Sequence, residues 1–368
     1  MGQESKPDVV IVTGPTASGK SGLALALARA LDGVVINADS MQVYRELSIL
    51  TARPDADALA AVPHRLYGVL SGRTACSAGQ WRAMAVADIE DARSHGRLPL
   101  VVGGTGLYLR ALEKGLARMP AIPAPVRAAA RDRMAEIGGA AFHAALAERD
   151  PTMASRLHPS DRQRLIRAWE VLEATGRSLA AWQDSAHDGT PYRFAQVVLL
   201  PPREALYRAC NGRFEAMVAA GALDEVRALL DLGLSPDLPV MKALGVRELA
   251  AHLRGGDSLA AAIAKAQQAT RRYAKRQMTW LRTQGPARGE HLDQRQGTAR
   301  GAASGGVKGT ARGEDPDRTE SADQGSAPDA SAEPLICNKA AQIVIVQQDY
   351  KRNETEIFPK IRDFLLTL

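Results

Sequence analysis

The sequence predicts an α/β fold, a parallel sheet covered by helices, and three observations carry that prediction. Short apolar runs rich in β-branched residues alternate with stretches of helical periodicity. A complete G-x-x-x-x-G-K-[ST] phosphate loop follows the first run, at residues 14–21. Residues 120–190 are Ala- and Arg-rich and almost without strand signal. Together these give a P-loop NTPase-like parallel sheet core, an all-helical insertion domain and a disordered C-terminal region.

The first strand is read at residues 9–13, Val-Val-Ile-Val-Thr. The loop residues Gly14, Pro15, Thr16, Ala17, Ser18, Gly19, Lys20 and Ser21 then lead into a helical pattern at 23–31. Gly14 and Gly19 permit close approaches that a Cβ would block, so successive N–H groups can point at phosphate oxygens. Lys20 supplies a compact positive charge, and the Ser21 hydroxyl can join a Mg²⁺ shell. The loop alone leaves two matters open: which phosphate compound it holds, and whether a P–O or a C–O bond breaks.

Further strands are read at 34–37, 98–102 and 196–200. The helical insertion is bounded by Pro120, Pro123 and Pro125 at its start and by Asp188-Gly189-Thr190-Pro191 at its end. Helical periodicity resumes over 203–282. Residues 283–334 have scarcely any large apolar side chain to offset their ordering entropy, and are expected to be disordered. Beyond them lie a strand-like run at 342–346 and an amphipathic stretch at 357–368, whose role the sequence does not disclose. The chain thus divides into a first core part (1–119), the insertion (120–190), a second core part ending in a basic helix (191–282), a linker (283–334) and a tail (335–368).

With 368 residues and 45% hydrophobic content the chain can bury a sizeable core, and its formal net charge of +6 permits an anionic partner without requiring one. Cys76, Cys210 and Cys337 are far apart and odd in number, which supports neither a disulfide framework nor a zinc site. A reducing compartment, the cytoplasm, is expected. Residues 1–8 are polar with no signal region, and no apolar run approaches the ~20 residues that span a bilayer, so no membrane association is expected.

Four more segments bear on chemistry. Asp39, after the second strand, should arrive at the same sheet edge as the phosphate loop, because carboxyl ends of parallel strands share one edge. It could ligate Mg²⁺, act as a general base, or be a solvated loop carboxylate or helix cap. The turn Gly103-Gly104-Thr105-Gly106 reaches the same edge and offers the Thr105 hydroxyl where the backbone can pass close to a ligand. In the insertion, Ser160 reads as an N-cap with Gln163 at the capping-box position, and Gln163, Arg164 and Arg167 can present polar groups to phosphates. Such faces are ordinarily just solvated. Finally, Tyr273, Gln277 and Trp280 share one side of a helix, with Arg272, Lys275 and Arg276 beside them. A basic stripe with interleaved aromatics suits nucleic acid or a diphosphate, while core packing of Tyr273 and Trp280 is equally compatible.

Taken in order, Gly-Pro-Thr-Ala-Ser-Gly-Lys-Ser, Asp-Ser-Met-Gln-Val-Tyr-Arg, Gly-Gly-Thr-Gly-Leu-Tyr, Asp-Arg-Gln-Arg-Leu-Ile-Arg-Ala and Ala-Lys-Arg-Gln-Met-Thr-Trp-Leu-Arg closely resemble the motifs of the tRNA dimethylallyltransferase family. The resemblance runs from about residue 8 to 282. It implies transfer of a dimethylallyl group from dimethylallyl diphosphate to N6 of the adenosine next to the anticodon, with Mg²⁺ as cofactor and the tRNA anticodon stem-loop as partner of a monomeric enzyme. It further implies that Lys20, the loop and Arg213 hold the diphosphate, that Asp39 is the base, and that Thr105 sits where amine meets allylic carbon. Asp39, Ser40, Met41, Gln42, Thr105, Arg127, Gln163, Arg164, Leu165, Ile166, Arg167, Lys275, Arg276, Gln277 and Arg282 match family positions that contact tRNA. Leu50, Arg65 and Val246 depart from the family pattern, which has Gly, His and Tyr there. The alternative is a P-loop small-molecule or nucleotide kinase, which would bind ATP and use Asp39 on Mg²⁺, and which leaves the insertion without a purpose.

Overall fold

In the computed structural model, the described residues are 7–117, 119–185, 189–287, 335–338, 343–347, 350 and 353–368. The Val-Val-Ile-Val-Thr run forms β1 (Val9–Thr13), every residue of it buried, as a strand covered on both faces requires. The loop then opens α1 (Lys20–Ala30), followed by β2 (Gly33–Asn37), α2 (Ala56–Ala61) and a two-residue β3 (His64–Arg65), the last too short to read from sequence. Next come α3 (Ala78–Ser94), capped by Ser77, then β4 (Leu98–Gly103) and α4 (Gly106–Lys114).

The insertion supplies α5 (Ala124–Arg149), kinked at Gly138, a single-turn α6 (Pro151–Ala154), α7 (Arg162–Thr175) and α8 (Leu179–Gln183). These helices close around their own apolar cluster, with Met134, Phe142, Leu146, Leu165 and Trp169 at its centre. One detail of the sequence reading changes: Asp161, not Ser160, caps α7, its carboxylate accepting from the Arg164 amide, while the Ser160 hydroxyl bonds the His158 ring. The carboxylate one residue closer to the helix takes the cap, where it also favours the positive end of the helix dipole.

The core resumes with β5 (Phe194–Leu199), α9 (Arg203–Ala219), α10 (Ala222–Asp231), a 3-10 turn at Pro239–Lys242, α11 (Val246–Leu253) and the long α12 (Leu259–Thr283). The expected disorder over 283–334 falls for residues 288–334 outside the described residues, whereas Thr283 ends α12. The tail forms β6 (Leu335–Asn338), β7 (Ile343–Val346) and α13 (Glu354–Leu366).

Among the described residues the sheet has seven strands in the order β3-β2-β4-β1-β5-β7-β6. All neighbours run parallel except β6, which is antiparallel to β7. The tail is therefore part of the core: β7 extends the sheet beside β5, and Ile357, Ile361 and Phe364 of α13 pack with Leu23 and Leu27 of α1 over Val10, Val12 and Val197. The opposite face is covered by α3, α4 and the helices after β5, around Trp81, Ile89, Val101, Tyr108, Leu109 and Phe214. Among the described residues no helix is long and apolar enough to cross a membrane. Because β1, β2 and β4 point the same way, the phosphate loop, the 37–42 segment and the Thr105 turn open at one edge.

Candidate active site

The phosphate loop turns through two left-handed residues, Ala17 (φ 66°) and Gly19 (φ 92°), before α1 begins. The alternation curls the backbone into a concave nest, and the first amides of α1 have no partner within their own helix. Gly14 is required by space: a Cβ there would stand 2.7 Å from Ser18 Oγ and 2.8 Å from the Leu199 carbonyl oxygen. Among the described residues Ser18 Oγ is buried with no partner, a polar atom in the cradle that a ligand oxygen would satisfy.

Two cations serve this cradle. Lys20 Nζ donates to the Pro15 carbonyl at 3.4 Å, and Arg213 of α9 donates to Thr16 Oγ1. Neither forms an ion pair with a carboxylate among the described residues. Burial pushes Lys20 down to about 8, the Asp39 charge partly opposing this and Arg213 adding to it. Burial likewise lowers Arg213, against the upward pull of Cys210 and Asp39. Two desolvated positive charges around an anion cradle are complementary to a polyphosphate. The buried Cys210 thiol, pushed up by desolvation, donates to the Thr16 carbonyl at 3.9 Å.

Across the opening stands Asp39. Asn37, fully buried at the end of β2, fixes it: the Asn37 amide donates to the Asp39 carbonyl at 3.0 Å and accepts from the Asp39 amide at 2.8 Å. Asp39 Oδ1 accepts from the Met41 amide at 2.9 Å, leaving Oδ2 without a protein partner among the described residues. The Asp39 charge acts on Lys20 and Arg213 at the cradle and on the Tyr67, Tyr108 and Tyr273 hydroxyls. Thr105 Oγ1 accepts from the Ser40 amide at 3.0 Å and donates to the Ser40 hydroxyl at 3.4 Å.

Close approach explains the glycine turn. A Cβ at Gly103 would lie 2.2 Å from the Ala38 carbonyl oxygen, one at Gly104 2.2 Å from Gln277 Nε2, and one at Gly106 2.5 Å from the Trp280 ring. Helix α12 thus lies across the site with Tyr273, Gln277 and Trp280 inward, and Lys275, Arg276 and Arg282 exposed on its outer side. A groove of about 480 Å³ runs along it, lined by Arg272, Lys275, Arg276, Thr279, Trp280, Thr283 and Gln284.

The structure brings Lys20, Asp39, Thr105 and Arg213 to one edge, with Ser21 exposed on the first turn of α1. Met41 is half-buried beside them, and the half-buried Gln42 donates to the Thr51 and Ala52 carbonyls at 2.7 and 3.0 Å. On the insertion, Arg127, Gln163 and Arg164 are exposed, Arg164 lying 3.3 Å from Asp161, and Arg167 is half-buried against Glu170 at 3.2 Å. Ile166 is half-buried and Leu165 wholly inside the insertion's apolar cluster, so the Leu165 side chain shapes α7 rather than its outer face. Gln277 spends both ends of its amide within the chain, on the Thr16 amide and the Gly104 carbonyl. Sequence reasoning missed Asn37 as the support of Asp39, and Glu225, which accepts from the amides of Ser48, Ile49 and Leu50. An Asn two residues before a candidate base was the available signal for the first; nothing local marked the second.

Residues 42–284 match the family described as IPP transferase. The chain belongs to this family of tRNA prenyltransferases. Among similar IPP transferases, the tRNA dimethylallyltransferase of Rhodospirillum centenum is 57% identical over 278 residues, covering 75% of this chain and 88% of the relative. That of Agrobacterium fabrum is 51% identical over 279 residues, 75% of this chain and 94% of the relative. Among solved structures, the full-length tRNA isopentenylpyrophosphate transferase of Bacillus halodurans superposes with a TM-score of 0.55 at 34% identity, over 76% of this chain and 88% of its own. A eukaryotic dimethylallyltransferase acting on tRNA gives a TM-score of 0.65 at 26% identity, over 75% of this chain and 70% of its own.

Proposed function

We propose that this chain transfers a dimethylallyl group from dimethylallyl diphosphate to N6 of the adenosine next to the anticodon of tRNA, releasing diphosphate. The observation that carries this reading is that, among the described residues, Lys20 and Arg213 at the phosphate loop have no carboxylate ion-pair partner, while Asp39, close enough for its charge to act on both, keeps one carboxylate oxygen without a protein partner. The adenosine N6 attacks the allylic carbon, the C–O bond breaks, and its electron pair leaves on the diphosphate. Lys20, Arg213 and the loop amides meet charge that grows as the leaving group departs, so they favour the transition state over the ground state. Asp39 Oδ2 is the oxygen left to take the N6 proton, and Thr105, held by Ser40, would stand where amine and carbon meet.

Mg²⁺ fits the site: among the described residues Ser18 Oγ is a buried polar atom without a partner that a polar guest would satisfy, and the Ser21 hydroxyl at the start of α1 would help hold the ion. Among the described residues no group of three or more His, Cys, Asp or Glu side chains could hold a metal ion. When bound, the ion would neutralise charge on the leaving diphosphate.

The macromolecular partner in this reading is the tRNA anticodon stem-loop, which offers an unpaired base at low unstacking cost. Exposed Arg127, Gln163 and Arg164 on the insertion and Lys275, Arg276 and Arg282 on α12 supply the polar and positive groups that would position its backbone. The reading takes the enzyme to act in the cytoplasm as a monomer.

The test incubates the protein with radiolabelled dimethylallyl diphosphate, Mg²⁺ and tRNA lacking the modification. Label should enter RNA, and Asp39→Ala should slow that transfer by about 10²–10⁴-fold. Phosphate moved from ATP to a small acceptor, with no label in RNA, would replace this reading with a kinase.

A further inference from the structure

The ladder between β1 and β4 ends at the pair Thr13 and Gly103, where the Thr13 hydroxyl also donates to the Gly103 carbonyl at 2.9 Å. Beyond that pair the two chains separate, one becoming the phosphate cradle and the other the Thr105 turn. One loop would hold the leaving group and the other the attacking amine. Gln277 spans the gap: its Oε1 accepts from the Thr16 amide at 2.8 Å, and its Nε2 donates to the Gly104 carbonyl at 2.9 Å. The side chain is buried, and its anchor α12 packs against the core through Ala274 and Met278 on either side.

Only one amide orientation satisfies both partners, because a flipped amide would set N–H against N–H and oxygen against oxygen. A glutamate cannot reproduce the pair while ionised, and an apolar residue would strand the buried Thr16 amide and the partly buried Gly104 carbonyl. Gly104 carries no Cβ at the point where one would strike this amide.

We propose that Gln277 is a positioning residue for the transfer, its amide fixing the spacing between the diphosphate cradle and the Asp39–Thr105 side, and not a contact for RNA. The inference rests on the prenyl-transfer reading above. It follows from geometry that a loosened bridge lets the leaving group and the attacking nitrogen drift apart, and a displacement of about 1 Å can cost as much as 10²-fold in rate.

The experiment measures steady-state transfer to unmodified tRNA for wild type, Gln277→Met and Gln277→Glu. Gln277→Met keeps the volume and removes both hydrogen-bonding ends; its kcat should fall by roughly 10–100-fold with the tRNA KM within about twofold. A kcat within twofold of wild type, or a loss confined to the tRNA KM, overturns the proposal. In Gln277→Glu the introduced carboxyl can serve both partners only when protonated, so kcat relative to wild type should rise as pH falls from 8.5 to 6. A flat ratio overturns it, and this arm decides alone if Gln277→Met does not fold. Wild type that transfers no prenyl group refutes the functional reading and the positioning role with it, whereas active wild type beside an equally active Gln277→Met refutes the positioning role only.

Discussion

Lys20 carries the pH dependence of the cradle. Its charged form is disfavoured by burial, so its affinity for protons falls to about 8 in the ligand-free chain, from an unfolded value near 10.5. The buried charge therefore costs the ligand-free fold stability below pH 8, and that cost fades as pH rises from about 8 to 10.5. A bound diphosphate reverses the preference by favouring the ammonium. Titration calorimetry should show diphosphate affinity weakening above pH 8 by up to about tenfold per unit more steeply in wild type than in Lys20→Arg, whose guanidinium stays charged. Parallel pH profiles for the two would contradict this. Of the candidate site residues, the sequence exposed Lys20, Asp39 and Thr105 because each lies in a motif at a strand's carboxyl end. The Leu50 and Val246 departures were legible only as oddities. In the fold both are buried in the main core, and Leu50 Cδ2 would lie 3.1 Å from a Cβ at Gly245, beside the start of α11. They are matters of packing, which no local pattern reveals.

At the level of elements, α4 and α12 do the joining. Helix α4 begins at Gly106, directly after Thr105, and ends near the exit of the insertion, where the Thr190 hydroxyl donates to the Leu112 carbonyl at 2.8 Å. Next to that junction Glu113 accepts from the Gln196 amide of β5, and burial pushes Glu113 up to about 7, Lys114 opposing weakly. The folded chain keeps this proton up to about pH 7, while the unfolded chain releases it near 4.5. Folding stability consequently declines as pH rises from 4.5 to 7 and is flat beyond. Glu113→Gln should remove that decline and gain about 2 kcal/mol over wild type between pH 5 and pH 8, read from chemical denaturation at both values. An unchanged difference between the two proteins across that range would refute it. The spacing of Tyr273, Gln277 and Trp280 placed them on one side of α12 from sequence alone. What that side faces was not legible, because the partners Thr105, Thr16 and Gly106 come from two other strands' loops.

For the whole molecule, the family match ends at residue 284, yet the sheet does not. Strand β7 pairs with β5 and α13 closes the face over α1, so the tail completes the layer beneath the phosphate loop. The sequence showed the tail's strand and helix but not their place, since a parallel pairing across a long connection leaves no local trace. Ile361→Ala, deep under that helix, should cost about 2–5 kcal/mol in denaturant unfolding, and a loss below 0.5 kcal/mol would mean the tail is peripheral. In the proposed function the phosphate loop holds a group that leaves from carbon. Dimethylallyl diphosphate carrying ¹⁸O in the bridging C–O–P position tests it most directly, with products read by mass spectrometry. Cleavage at carbon leaves all the ¹⁸O in the released diphosphate and a dimethylallyl group on RNA; ¹⁸O retained on the dimethylallyl product, with phosphate passed to an acceptor, would contradict it.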